Sequence, residues 1–279
     1  MKSIRKIAYE KPVIFSIITM ILTIGITFIP LYSLFTGILT EQAADYASGF
    51  LEQMLVSVVL IILLSKMQLL KPAGFHFHVQ QLWIIWPTIL IIVLNLLSII
   101  DGTIVIDTNK KVTIVLYILV YLSTGVFEET LCRGVVQTLF IQKWGNTKKG
   151  IYVSVLLSSF LFGLFHIVHF FLGQMNLTAS IAQVMYATFI GVFMGTCVLR
   201  NKSIIPTMLV HAIIDITGDL QEIAVNGGIR KDELIMSIPD AALGVALMSP
   251  LLFYGLFILR KCTCKEVVNS EKIENKENR

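Results

Sequence analysis

Charge is what this chain is short of. Asp, Glu, Lys and Arg make up 14% of its 279 residues and hydrophobic residues 56%, with a mean hydropathy of +0.80. A soluble globular domain carries nearer a quarter charged residues, so the shortage excludes a soluble protein and leaves an integral membrane protein. Cysteine is scarce too. Four are too few for a disulfide framework, and they are scattered: Cys132 and Cys197 fall inside apolar runs, Cys262 and Cys264 after the last one. Cys262-Thr263-Cys264 lacks zinc-knuckle spacing, so all four read as free thiols. The net charge of +4 is small, and the basic residues lie between apolar runs, which leaves no basic field for a nucleic acid. No internal repeat divides the chain.

Long apolar runs are what the chain has in abundance. About eight can be drawn: Pro12 to Phe35, Leu51 to Ser65, Leu82 to Ile100, Val112 to Gln142, Ile151 to Phe171, Thr178 to Leu199, Ser203 to Leu220 and Ala241 to Leu259. The first follows Lys2, Arg5, Lys6 and Lys11 as a signal peptide would, but it is too long and has no small-residue cleavage site, so the expectation is an uncleaved helix. If the runs alternate in direction, the outer segments carry only Lys110, Lys111, Arg230 and Lys231; apart from Arg133, every other basic residue falls inside. The expectation is an all-α, polytopic protein of the cell membrane with both termini in the cytoplasm. It would form a single membrane domain over residues 1–260, followed by a polar tail, 261–279.

Glu128-Glu129-Thr130-Leu131-Cys132-Arg133 interrupts the middle of the fourth run. Each charge at the centre of a spanning helix costs roughly 2.5 to 3.5 kcal/mol, so three without partners cost on the order of 8 to 10 kcal/mol. Such a cluster serves either as a tie between helices or as a site. On a helix Glu129 and Arg133 share a face, in the favoured acid-before-base order, and Glu128 is turned about 100° away. The spacing predicts that Glu129 is the tie to Arg133, while Glu128 faces a cavity and suits proton transfer.

Two further runs carry polar stripes. Phe162, His166 and His169 recur at i, i+4 and i+7 on the fifth, and His211 and Asp215 share a face of the seventh, with Asp219 one turn on. Each has a bland reading. A membrane histidine is more often a packing residue than a ligand, His169 near the outer end especially so. A His–Asp pair can be a helix-internal hydrogen bond as readily as a tautomer-setting pair or two metal ligands. Three apolar helices that each offer one polar stripe point to a shared site. Depth raises a difficulty: at a helical rise of about 1.5 Å per residue, Glu128 and His166 lie about 21 and 22 Å from the inner ends of their runs, but His211 only about 12 Å. The seventh helix must therefore start deeper, tilt, or break near Pro206.

Glu-Glu-x-x-x-Arg at 128 to 133, Phe-x-x-x-His at 162 to 166 and His-x-x-x-Asp at 211 to 215, in that order on separate membrane helices, resemble the motifs of the CPBP family. That family comprises the CAAX prenyl proteases of the Ras-converting type and the bacteriocin-processing or abortive-infection proteins of bacteria. The matching core runs roughly from Val112 to Leu220, and the flanking helices match only in hydrophobicity. The resemblance implies an eight-helix intramembrane endopeptidase in which Glu128 and His166 activate the attacking water. His211 and Asp215 would stabilise the oxyanion, with Glu129, Arg133 and Phe162 in support. On the family's other reading it implies a zinc site of His166, His211 and Asp215, so the cofactor is Zn2+ or none. CAAX-type members commonly have Asn where this chain has Asp215. An ionised carboxylate cannot donate to an oxyanion, so Asp215 is protonated, orients His211, or ligates a cation. The implied substrate is a membrane-associated peptide or protein: a pheromone or bacteriocin leader, or a prenylated CAAX-type chain. Two other classes stay open, a non-catalytic immunity or scaffold protein binding a peptide or sensor kinase, and an ion-coupled transporter. Against the transporter stands the absence of matched broken helices in two halves.

Overall fold

The computed structural model describes residues 2–29, 31–77, 79–228 and 235–264. Arg230 and Lys231 of the charge argument, and the polar tail from 265 onward, lie outside them. The chain runs through α1 (Lys2–Glu10), α2 (Pro12–Thr27), α3 (Glu41–Lys66), α4 (Pro87–Ile100), α5 (Lys111–Glu129), a π-helical stretch (Thr130–Gln137), α6 (Thr138–Trp144), α7 (Lys148–Phe165), the single turn α8 (Val168–Phe171), α9 (Leu177–Asn201), α10 (Ile205–Gly218) and α11 (Ile238–Leu259). Seven of the helical segments are long and apolar enough to cross a bilayer; α10, the remaining expected span, is a shorter apolar helix. This is a multi-pass integral membrane protein, and Ile14, Ile18, Ile21 and Leu22 on α2 show the exposed apolar surface that lipid requires.

Several boundaries differ from the sequence expectation. The second span opens at Glu41, ten residues before Leu51, because Thr40 caps it by accepting from Ala43 N at 3.3 Å. Its early polar residues also find partners: Gln42 donates to Glu222 O at 2.7 Å, and Tyr46 donates to Glu222 Oε2 at 2.8 Å. The first span stops being α-helical at Thr27, and a 3-10 turn, Leu31–Leu34, follows. The fifth ends at Phe165, with His166 as its C-cap, so Phe162, His166 and His169 do not lie on one continuous helix.

Paired positions fix the helix directions. Tyr46 meets Tyr117, Gly49 meets Val120 and Gln53 accepts from Ser123 and Thr124, a constant offset that makes α3 and α5 parallel. Arg133 donates to Gly191 O and Gln137 to Gly195 O, so the π stretch and α9 run parallel as well. Ser159 and Gly163 on α7 meet Gly191 and Val184 on α9 in the reverse order, which makes that pair antiparallel. Thus α3, α5 and α9 share a direction and α7 opposes them. At one end of the bundle the N-terminal helix and the end of α11 gather: Lys143 lies over the Tyr9 ring, and Lys148 and Arg200 donate to the backbone of Arg260 and Lys261.

The depth difficulty is resolved where α9 turns into α10. Lys202 takes a left-handed φ of 56°, and Asn201, Ser203, Ile204 and Thr207 are wholly buried, so the seventh helix begins well inside the protein. The loop after α3 satisfies this buried corner. Gly74 O accepts from Ile204 N at 3.0 Å, and Ser203 Oγ donates to His76 O at 2.7 Å. Irregular backbone at this depth is tolerated because protein groups replace water. From there α10 runs against α5 at Gly125, where a Cβ would lie 2.4 Å from Met208 O. Gly125→Leu should therefore destabilise the protein by about 3 kcal/mol, the upper part of the range for overpacking, read as a lowered melting temperature in micelles.

Candidate active site

Glu128 and Glu129 are the last two residues of α5, and the helix widens into π turns directly after them. Thr138 Oγ1 donates to Arg133 O at 3.0 Å, serving a carbonyl within the widened stretch. π turns inside α-helices occur often at functional sites, because they re-aim the side chains around them.

His211 sits between the two glutamates. Its Nδ1 donates to Glu129 Oε1 at 3.0 Å, and its Nε2 lies 3.5 Å from Glu128 Oε2 and 3.6 Å from Asp215 Oδ2. A carboxylate paired with arginine can only accept, so Nδ1 carries a hydrogen. The same Oε1 accepts from Arg133 Nη1 at 2.6 Å. Arg133 also reaches Gly191 O with Nη2, at 3.4 Å, and its guanidinium carbon stands 4.6 Å from the centroid of the Phe162 ring. That ring in turn meets His166 edge-on at 4.9 Å and His211 at 6.1 Å. Phe162 therefore touches the arginine and both histidines.

His166 donates from Nδ1 to Phe162 O at 3.0 Å, because a carbonyl can only accept; its lone pair is then on Nε2. Glu128, Glu129, Arg133, Phe162, His211 and Asp215 form one contact network, and His166 joins it through Phe162. His169 lies at the margin: its ring stands 6.1 Å from that of His166, and its Nδ1 pairs with Gln174 Oε1 at 2.5 Å in the turn that follows. Burial divides the network. The side chains of Glu129 and Arg133 are 0% and 3% exposed, whereas Glu128 and Asp215 keep 17% and 25%. The tie is sealed, and the edge formed by Glu128, His211 and Asp215 stays reachable.

Three expectations are amended. Glu129 is the tie to Arg133, and it is also the partner of His211. The ring of His211 is oriented by the bond from Nδ1 to Glu129 rather than by Asp215, which lies on the Nε2 side. The zinc set does not fit, for among the described residues no three His, Cys, Asp or Glu side chains could hold a metal ion. Phe162 stands between His166 and His211, and the Nδ1 atoms of both rings are already engaged. The sequence reading missed Gly191, whose carbonyl receives Arg133. The signal was available in Gly191 and Gly195, a small-x-x-x-small spacing of the kind that lets membrane helices approach closely.

Chemically, three carboxyl groups surround one imidazole and one permanent cation in a place poor in water. Such a cluster can take up and release protons, hold a water against a carboxylate, and offer a donor to developing negative charge. Comparison with curated proteins found no match, and comparison with solved structures found none either. Residues 110–217, which contain all three motifs, match the family model of the Rce1-like type II CAAX prenyl endopeptidases. Over that segment the chain is similar to the Rce1-like, CPBP-type endopeptidases.

Proposed function

We propose that the protein is an intramembrane endopeptidase that hydrolyses a peptide bond of a membrane-associated peptide or protein. The observation that carries this reading is His211 held between Glu129 on one nitrogen and Glu128 and Asp215 on the other, inside an apolar bundle. In the proposed reaction Glu128 takes a proton from a water held against the free Nε2 of His166, and the water oxygen adds to the substrate carbonyl. His211, protonated on both nitrogens between Glu129 on one side and Glu128 and Asp215 on the other, offers Nε2–H to the oxyanion. Arg133 neutralises Glu129 and, through Phe162, keeps the two imidazoles in register. Residues 1–260 would act as one membrane domain around a core at about 112–220, with both termini and the tail in the cytoplasm of a cell-membrane protein. Substrates that fit are a pheromone or bacteriocin leader, or a prenylated CAAX-type chain.

The test compares the membrane and secreted peptides of cells making the wild-type protein with those making Glu128→Gln at equal level. Cleaved forms that vanish in the variant, with uncleaved precursors accumulating, identify activity and substrate together. Identical peptide profiles would sink the reading.

A further inference from the structure

Exposure around the proposed site rises in one direction. On α10, Thr207, His211, Asp215 and Asp219 follow at four-residue steps and share a face. Thr207 and His211 are buried, Asp215 is partly exposed and Asp219 is exposed. On α7, Ser159 and Phe162 are buried, while His166 and His169 farther along are partly exposed. On α5 the order in sequence is reversed: Cys132, just past the helix, is buried, Glu128 keeps 17% exposure, and Thr124 and Tyr121 before it are partly exposed. The packing requires that reversal. Helix α5 runs against α10, with Tyr117 bonded to Ile216 and Gly125 against Met208, and it runs against α7 as well. A gap in the side of the bundle would expose neighbouring helices at a single level. A rise along three helices toward the same end marks a mouth at that end.

The opposite end has a floor. A Cβ at Gly134 of the π stretch would lie 3.3 Å from Leu64 and 3.5 Å from Phe75, and one at Gly74 would lie 3.0 Å from Ile204 N. The loop after α3 is therefore wedged between the π stretch and the start of α10, and its Met67, Leu69 and Ala73 are buried. Below this floor lie Lys143, Lys148, Arg200 and the end of α11. The mouth carries carboxylates instead: Tyr121 donates to Asp219 Oδ2 at 2.9 Å, and its hydroxyl stands 3.2 Å from Glu222 Oε2. Lysine and arginine gather on the cytoplasmic side of a membrane protein. With the basic end in the cytoplasm, the floor faces inward and the mouth outward.

Resting on the endopeptidase reading, we infer that the site takes its substrate through this mouth, from the outer side of the membrane. The substrate class is then a peptide segment that has already crossed: the leader of an exported peptide, or the outer juxtamembrane stretch of a membrane protein. A cytoplasmic C-terminal chain of the prenylated type meets the floor and not the mouth. Glu128 and Asp215, the two site carboxylates that keep exposure, are the groups such a segment reaches first, and the buried tie of Glu129 with Arg133 lies behind them.

The experiment applies a bulky maleimide that cannot cross membranes to intact cells making the full chain. Cys132, Cys197 and Cys262 are buried, so a Cys264→Ser background leaves an introduced thiol as the one to label. Gly218→Cys places it at the mouth: Gly218 is exposed, three residues past Asp215, and a Cβ there meets nothing nearer than Asn95 Nδ2 at 3.7 Å. Lys71→Cys places it on the exposed side of the floor loop. Gly218→Cys should be labelled from outside, and labelling should stop the release of the peptides whose cleaved forms depend on Glu128, relative to the unlabelled variant. Lys71→Cys should be labelled only once the membrane is opened, with cleavage unchanged. The Glu128-dependent cuts themselves should map to exported or outer segments. Failure to label Gly218→Cys from outside overturns the inference and leaves the endopeptidase reading standing; so does labelling that leaves cleavage intact, or a cut in a cytoplasmic tail. Peptide profiles insensitive to Glu128→Gln overturn both.

Discussion

Glu128→Gln should slow cleavage by about 10²- to 10⁴-fold, the usual contribution of a positioned general base, while moving the melting temperature little. Gln keeps the volume and one acceptor of Glu but cannot take a proton from water. The side chain is not part of the buried tie: its Oε2 is 3.5 Å from His211 Nε2, beyond hydrogen-bond distance, and it keeps 17% exposure. Removing its charge leaves Glu129 and Asp215 facing Arg133 and His211, an even balance, and breaks no hydrogen bond of the buried tie, so the stability change should stay within about 1 kcal/mol. Rates on the precursor and melting curves in micelles check the two halves separately. Wild-type turnover would remove Glu128 from the mechanism. A variant that is inactive because it is unfolded would say nothing about proton transfer, and the near-isosteric choice of Gln guards against that outcome.

How much of this was legible in the sequence depends on which force decided each feature. The Glu129–Arg133 pair was legible, because charges in hydrocarbon must find partners and a four-residue spacing supplies one at once. The separate roles of Glu128 and Glu129 were only half legible. Helical phase turns the two away from each other, yet both meet the same imidazole, since a ring with two nitrogens can bridge neighbouring side chains. That bridge depends on where α10 lies, which depends in turn on the buried corner at Lys202 and Ser203 and on the absence of a side chain at Gly125. Neither is visible in a hydropathy pattern. The π stretch was not legible either. Thr130–Gln137 reads as ordinary apolar helix, and its widening comes with contacts to α9, through Gly191 and Gly195, that no local propensity encodes. The start of α3 at Glu41 is not legible, because its polar residues read as loop, whereas Gln42 and Tyr46 pair with Glu222 in the segment after α10.

Arg133→Met should cost about 3 to 5 kcal/mol, the range for breaking a buried ion pair from one side. Met fills much of the apolar stem but loses the 2.6 Å contact to Glu129, the bond to Gly191 O and the stacking over Phe162. Glu129 then sits at 0% exposure with only His211 to balance it. Adding Glu129→Leu should restore most of the stability, since replacing both members of a buried pair by apolar groups is often neutral or better. It should not restore cleavage, because His211 Nδ1–H loses its acceptor and the ring its fixed orientation. Adding Glu129→Gln instead removes the charge but keeps an acceptor for Nδ1–H, so this double variant should regain stability and part of the activity. Melting curves in micelles and rates on the Glu128-dependent precursor separate the three proteins. Equal activity with Leu and Gln at 129 would mean that Glu129 contributes charge balance alone, and that His211 is oriented by something other than the bond at 3.0 Å.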